Sequence, residues 1–231
     1  MTPSMSLVAR LRQLIWIAIV VGAVAWIDSD FVVVIAAAIA IVAVTIETRA
    51  PLRDLGLARP RSIVLTIVLG IPVGFALLLF SKLLLTPLVE SLTGIPRDLS
   101  AFDALRGNTA GYLGLMPKIW LGAAICEEIV FRAFLIGRIE AAFGGASRAA
   151  TGAAIVLSSV IFGAAHAYQG PTGIMITGFL GLLFAIVYVA AGRNLWFNIL
   201  VHGVYDTLSL ALVLTSLDRD FSAIGHRLFS Y

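Results

Sequence analysis

The sequence predicts an all-α polytopic transmembrane bundle of about seven spans, with the active site inside the bundle. Three observations carry this expectation. The 231 residues are 60% hydrophobic and only 13% charged, where soluble domains carry roughly 25% charge; the mean hydropathy is +1.03. Apolar runs near the roughly 20 residues that a bilayer-crossing helix needs recur between short polar breaks. The run 121–136, LGAAICEEIVFRAFLI, places Glu127, Glu128 and Arg132 in an otherwise apolar helix. A carboxylate at the centre of the hydrocarbon layer costs about 2.5–3.5 kcal/mol, so these groups need a reason. At this length one integral membrane domain, 1–231, is expected.

The elements follow in order. Residues 14–27 form the first span, extendable toward Leu7. Arg10, Arg12 and the stretch Ala23-Val24-Ala25 resemble a signal peptide with its cleavage site, but the length of the apolar run favours an uncleaved span. Asp28-Ser29-Asp30 is a polar break, and residues 31–46 are the second span. A loop over 47–62 carries Arg49, Arg53, Arg59 and Arg61. The third span, 63–85, has Gly70 and Gly74 in a spacing that lets helices approach closely, with Pro72 between them to kink it. Residues 86–111 are mixed polar and should hold a short surface or re-entrant segment. The fourth span, 116–139, bears the glutamates; a turn at 144–148 leads into the fifth, 149–167. Gln169-Gly170-Pro171 breaks it, the sixth span covers 172–191, Gly192-Arg193-Asn194 is a tight turn, and the seventh covers 195–217 before a short polar tail.

With seven spans, Arg10/Arg12, the 47–62 loop, Arg138/Arg148 and Arg193 all fall on one side, which the positive-inside rule makes cytoplasmic. The expected location is a bacterial cytoplasmic (inner) membrane with the N-terminus inside. The net charge of +3 thus serves topology, and nucleic-acid binding, which wants a basic stripe or a recognition fold, is not expected. Cys126 is the single cysteine, so no intramolecular disulfide or cysteine-based metal site can form, and it reads as a small packed hydrophobe. Ser158 and Ser159 read as helix-packing hydroxyls.

Residues four apart share a helix face. Glu128 and Arg132, Phe162 and His166, and His202 and Asp206 are such pairs. Glu128 with Arg132 reads first as a structural ion pair, the way charges persist in lipid. Adjacent residues point about 100° apart, so Glu127 and Glu128 should face different partners. Reflecting the fourth and fifth spans about Ala146 puts Glu127 and His166 at nearly the same depth, at about 1.5 Å per residue. His202 falls roughly 15 Å off in ideal helices, a gap that a tilted sixth span or an unwound stretch at 194–198 would have to close. One unpaired Glu, two His and an Asp on three helices are too many costly groups for packing alone. A carboxylate and an imidazole together polarise water, and the remaining His and Asp suit a developing oxyanion; the four should converge on one cavity. No HExxH, GxGD or GxSG is present, so zincin, aspartyl and serine sites lack their signatures.

The three pairs, read as Glu127-Glu128-Ile129-Val130-Phe131-Arg132, then Phe162-Gly163-Ala164-Ala165-His166, then His202-Gly203-Val204-Tyr205-Asp206, resemble in order and spacing the CAAX protease and bacteriocin-processing (Abi) family, related to the CAAX prenyl endopeptidases. The resemblance covers about 116–217. It implies a glutamate-dependent intramembrane endopeptidase that cleaves near the membrane surface. Glu127 would be the general base on water and His166 would assist it. His202 and Asp206 would line the oxyanion hole, while Glu128, Arg132 and Phe162 would support the site. The prenyl endopeptidases have Asn where this chain has Asp206; burial would protonate Asp206, or it accepts a hydrogen bond from His202, and the second is favoured. The implied substrate is a peptide or membrane protein with a hydrophobic or lipidated tail, reached from the lipid bilayer, with no cofactor. Three other readings stay open: a non-catalytic scaffold or bacteriocin self-immunity protein of the same fold; a zinc-dependent protease, since two His and a Glu can bind zinc; and a transporter, which the absence of an evident repeat disfavours.

Overall fold

The computed structural model describes residues 6–26 and 31–229. All secondary structure among the described residues is helical. The principal helices are α1 (Leu7–Trp26), α2 (Val32–Glu47), α3 (Ile63–Thr93), α4 (residues 109–142), α5 (Arg148–Ala164), α6 (Gly170–Ala190), α7 (Leu195–Leu214) and α8 (Leu217–Phe229). The polar break Asp28-Ser29-Asp30 lies outside the described residues.

Four helical stretches are long and apolar enough to cross a membrane: α1, α3, Ala167–Ala190 and α7. The apolar helices α2 and α5 have only 16 and 17 residues. The centre of α4 carries Glu127, Glu128 and Arg132, and charge rather than length sets it apart. Capping fixes where several of these helices begin. The side-chain oxygens of Ser62, Asn108, Ser147 and Asn194 accept from Leu65, Gly111, Ala150 and Phe197 backbone N–H groups, as N-cap residues do.

α4 is the central element, packed on α1, α2, α5 and α7. Val130, Phe131, Phe134, Leu135 and Ile136 of α4 are buried in a core shared with α1, α2 and α5. A second core joins α3, α6 and α7 through Leu78, Ile176, Phe184 and Val201. Gly70 and Gly74 do serve close packing: a Cβ at 70 would lie 2.8 Å from Leu200, and one at 74 would lie 2.7 Å from the Val201 carbonyl. Val64, Leu65, Val68 and Leu69 on the outer side of α3 are exposed, as suits a lipid-facing surface.

Three expectations about segments change. The third span does not stop at 85. Its helix runs on to Thr93, because Ser81–Leu85 widens into a π turn, with Thr86 N–H bonding back to Ser81, just where Pro87 would otherwise interrupt α winding. Of the expected mixed segment 86–111, only the middle is non-α, with a 3₁₀ turn at Ser100–Leu105. The tail is also not merely polar: Leu217–Phe229 is a helix with Asp218 and Asp220 in its first turn, and Gly225 lets it close on Pro87 and Leu83 of α3.

The arginine-bearing loops gather at one end. Glu47 takes Arg12 (3.0 Å), Arg138 and the Trp16 indole N–H (2.9 Å). Arg193 pairs with Glu140 at 2.7 Å, and Leu195 N–H reaches the Gly56 carbonyl at 3.1 Å. The N-terminal helix, the 47–62 loop, the end of α4 and the 192–194 turn therefore share a face, as the arginine distribution requires.

Candidate active site

The central stretch of α4, Ile119–Ile136, is π-wound, each N–H bonding the carbonyl five residues back where an α-helix bonds the one four back. Arg132, five residues after Glu127 and four after Glu128, interacts electrostatically with both, but among the described residues only Glu128 lies within ion-pair distance of it. The two adjacent carboxylates therefore differ in their partners.

Glu128 is the organiser. It is fully buried, accepts from His202 Nδ1 at 2.8 Å and from the Asn198 amide, and lies 3.5 Å from Arg132 Nε. Arg132 is itself 1% exposed, and its guanidinium nitrogens make no hydrogen bond among the described residues. The guanidinium instead lies over Phe162 (4.4 Å to the centroid) and Phe184 (5.4 Å), where the ring faces supply negative potential.

His202 is held from every side. Nδ1 meets Glu128, Nε2 stands 3.3 Å from Asp206 Oδ2, and Phe184 stacks on the ring at 4.5 Å. Its neighbour Gly203 faces Trp120, where a Cβ would come within 2.5 Å of the indole. No unwinding of 194–198 brings His202 here. α7 is helical from Leu195, and Asn198, which unwinding was to release, is itself a partner of Glu128.

His166 follows the end of α5, with Nδ1 2.8 Å from the Phe162 carbonyl. A carbonyl only accepts, so Nδ1 carries the proton and Nε2 keeps a free lone pair. Phe162 is buried, 4.8 Å from the His166 ring and edge-on to Phe131 at 4.9 Å. Glu127 is partly exposed and makes no hydrogen bond or ion pair among the described residues. It interacts electrostatically with His202 and Asp206, as His166 does. The structure thus brings Glu127, His202 and Asp206 into one electrostatic neighbourhood, with His166 joined through His202 and Asp206.

Sequence reasoning missed two members. Asn198 had a signal, being polar, in an apolar run, and four residues before His202. Phe184 had none. Tyr168, whose ring lies 5.8 Å from His166, and Arg97, which holds Gln169 Oε1, are further neighbours. Ser158 donates to the Phe131 carbonyl (2.6 Å) and Ser159 to that of Ile155 (2.7 Å), both as packing hydroxyls. Cys126 is partly buried against the α1–α2–α4 core. Among the described residues no group of three or more His, Cys, Asp or Glu is arranged to hold a metal ion.

These features define a helical integral membrane protein with carboxylates and imidazoles clustered between its helices. Residues 109–208, from the start of α4 to within α7, match the family described as Type II CAAX prenyl endopeptidase Rce1-like. This part of the chain is similar to that family, which is a family of proteases. The match contains all three motif pairs. No curated protein and no solved structure matches the chain.

Proposed function

We propose that the protein is a glutamate-dependent intramembrane endopeptidase that hydrolyses a peptide bond near the membrane surface, with Glu127 as general base. The observation that carries this reading is the asymmetry of the two adjacent carboxylates. Glu128 is consumed by His202, Asn198 and Arg132, whereas Glu127 is partly exposed and unbonded among the described residues. Glu127 takes a proton from water as the water oxygen adds to the peptide carbonyl, and the tetrahedral intermediate then collapses with cleavage of the C–N bond, the proton passing to the leaving amine. His166, with Nε2 free, assists by accepting and returning a proton. His202, held by Glu128 at Nδ1, and Asp206, 3.3 Å from its Nε2, line the oxyanion hole, with Asp206 orienting the ring. Arg132 and Phe162 hold the first motif in shape. The helices α1 to α7 make up about seven spans in a bacterial inner membrane, with the arginine-rich end and the N-terminus cytoplasmic. The substrate is a peptide or membrane protein with a hydrophobic or lipidated tail.

Glu127→Gln tests this, since it keeps size and hydrogen bonding but removes the base. Cleavage should fall by at least about 100-fold, the low end for a general base, with fold and substrate binding retained. Wild-type activity should survive chelation. Activity lost on chelation and restored by zinc would move the protein to the metalloprotease reading. Full activity in Glu127→Gln refutes the assignment, and substrate processing that persists in cells carrying the variant favours a scaffold for another protease.

A further inference from the structure

Beside this site, at the end of the bundle away from the arginine-rich loops, α3, α8 and the segment before α4 line an open cavity of about 540 Å³, the size range of small-ligand sites. Lys82 lines it. The residue is only 7% exposed and makes no hydrogen bond or ion pair among the described residues. A buried ammonium without a partner is costly. The side chain faces a cleft between α8 and residues 96–103 that opens to the outside, so a ligand can reach the ammonium there.

The carboxylates around the cavity are already taken. Glu90 accepts the Arg97 backbone N–H at 2.8 Å and faces His226 Nε2 at 2.9 Å. Asp103 and Asp218 both hold Arg106, at 3.1 and 2.8 Å. Arg97 lines the same cavity, and among the described residues its guanidinium meets the neutral Gln169, Thr177 and Tyr205 side chains rather than a carboxylate. Arg219 stands exposed at the rim. Three cations from three separate elements thus face the chamber without an acidic ion-pair partner, while Thr86 and Ser100 add hydroxyl donors.

Depth says what is available to bind. Counting about 1.5 Å per residue from Ile63, Lys82 stands about 28 Å along α3, close to the roughly 30 Å of the hydrocarbon core. That is the level of lipid head groups on the far leaflet, and α8 runs there immediately after α7 ends.

We propose that this cavity is a binding site for a phosphate oxyanion, held by Lys82 and Arg97 and supplied by the head group of an anionic phospholipid. Lys82 interacts electrostatically with Asp206, so occupancy is felt at the neighbouring site, but binding itself does not depend on proteolysis.

The test titrates detergent-purified full-length protein with short-chain phosphatidylglycerol, phosphatidylcholine or inorganic phosphate, and counts adducts by native mass spectrometry. Phosphatidylglycerol should bind saturably and phosphatidylcholine should not. Lys82→Met should weaken binding by about tenfold or more, the order expected on losing one charge-assisted hydrogen bond. Lys82→Arg should retain binding, and Arg59→Gln at the opposite end should leave it unchanged. Arg97→Gln carries the same expectation as Lys82→Met if the latter folds poorly. The Glu127→Gln protein should bind like wild type, which separates this result from the hydrolytic reading. Inorganic phosphate binding with the same Lys82 dependence, in the absence of lipid binding, supports the site with free phosphate as its ligand. Binding of neither probe, or binding indifferent to both Lys82 and Arg97, overturns the proposal.

Discussion

Replacing Arg132 with Leu removes the one arginine or lysine within ion-pair distance of Glu128 among the described residues, a glutamate with no solvent exposure. Breaking a buried pair by deleting one partner typically costs about 3–5 kcal/mol. Here Glu128 keeps two donors, His202 Nδ1 and the Asn198 amide, so the carboxylate is not left bare and the low end, about 3 kcal/mol, is expected. The figure already contains the loss of the guanidinium from the faces of Phe162 and Phe184, a desolvated contact of about 2 kcal/mol. For a chain of this size each kcal/mol moves Tm by about 2–4 °C, giving a fall of roughly 6–12 °C. Cys126, the single thiol and partly buried, supplies the assay: a thiol-reactive fluorophore reports unfolding as the protein is heated in detergent. Adding Glu128→Gln to Arg132→Leu removes the stranded charge but keeps an acceptor for Asn198, and should recover at least about half of the loss. A single variant that melts within about 2 °C of wild type and stays fully active would show that the pair does not support the fold.

The partners of Glu128 extend this reasoning. Asn198→Ala deletes a hydrogen bond to a charged acceptor and should lower stability by about 1.5–3 kcal/mol in the same melt; no change would mean that the Asn198 contact contributes nothing. At the other end, burial alone would raise the Asp218 pKa, but the paired hydrogen bonds and charge of Arg106 outweigh it and hold the group below the ordinary carboxylate value. A depressed pKa contributes stability that is present above the unfolded value and lost as pH falls through the folded one. The α8 tether should therefore persist from neutral pH down to about 4, the ordinary Asp value, and loosen only below it. Hydrogen exchange of the 217–229 amides, corrected for the intrinsic pH dependence and followed across that range, checks this; release already at pH 6 would contradict it.

Much of the site was legible because cost and spacing are sequence properties. An ionised group in an apolar run announces itself, His202 with Asp206 keeps its four-residue spacing within α7, and Phe162 still reaches His166 just past the end of α5. What was not legible depends on winding and packing. The π-wound stretch of α4 changes which residues align, and nothing in LGAAICEEIVFRAFLI marks it. The continuation of α3 past Pro87 depends on a local change of winding at Ser81–Leu85. Helix α8 looked like a polar tail because its apolar residues are few, and its packing on Pro87 rests on Gly225 having no side chain. Phe184, contributed by α6, meets His202 only through the tertiary fold.

The closeness of Gly203 to Trp120 has a bearing on how variants of this chain should be sorted. A position next to His202 with room for a hydrogen and no carbon behaves as a volume lock on α7. Even alanine there must push the indole aside or rotate the helix, and rotation carries His202 away from Glu128. A scan that ranks positions by lost turnover would therefore place an inert glycine beside the carboxylates. Loss at 203 would be a fault of fit, distinguishable from a fault of chemistry because a smaller residue at 120 should restore the one and not the other.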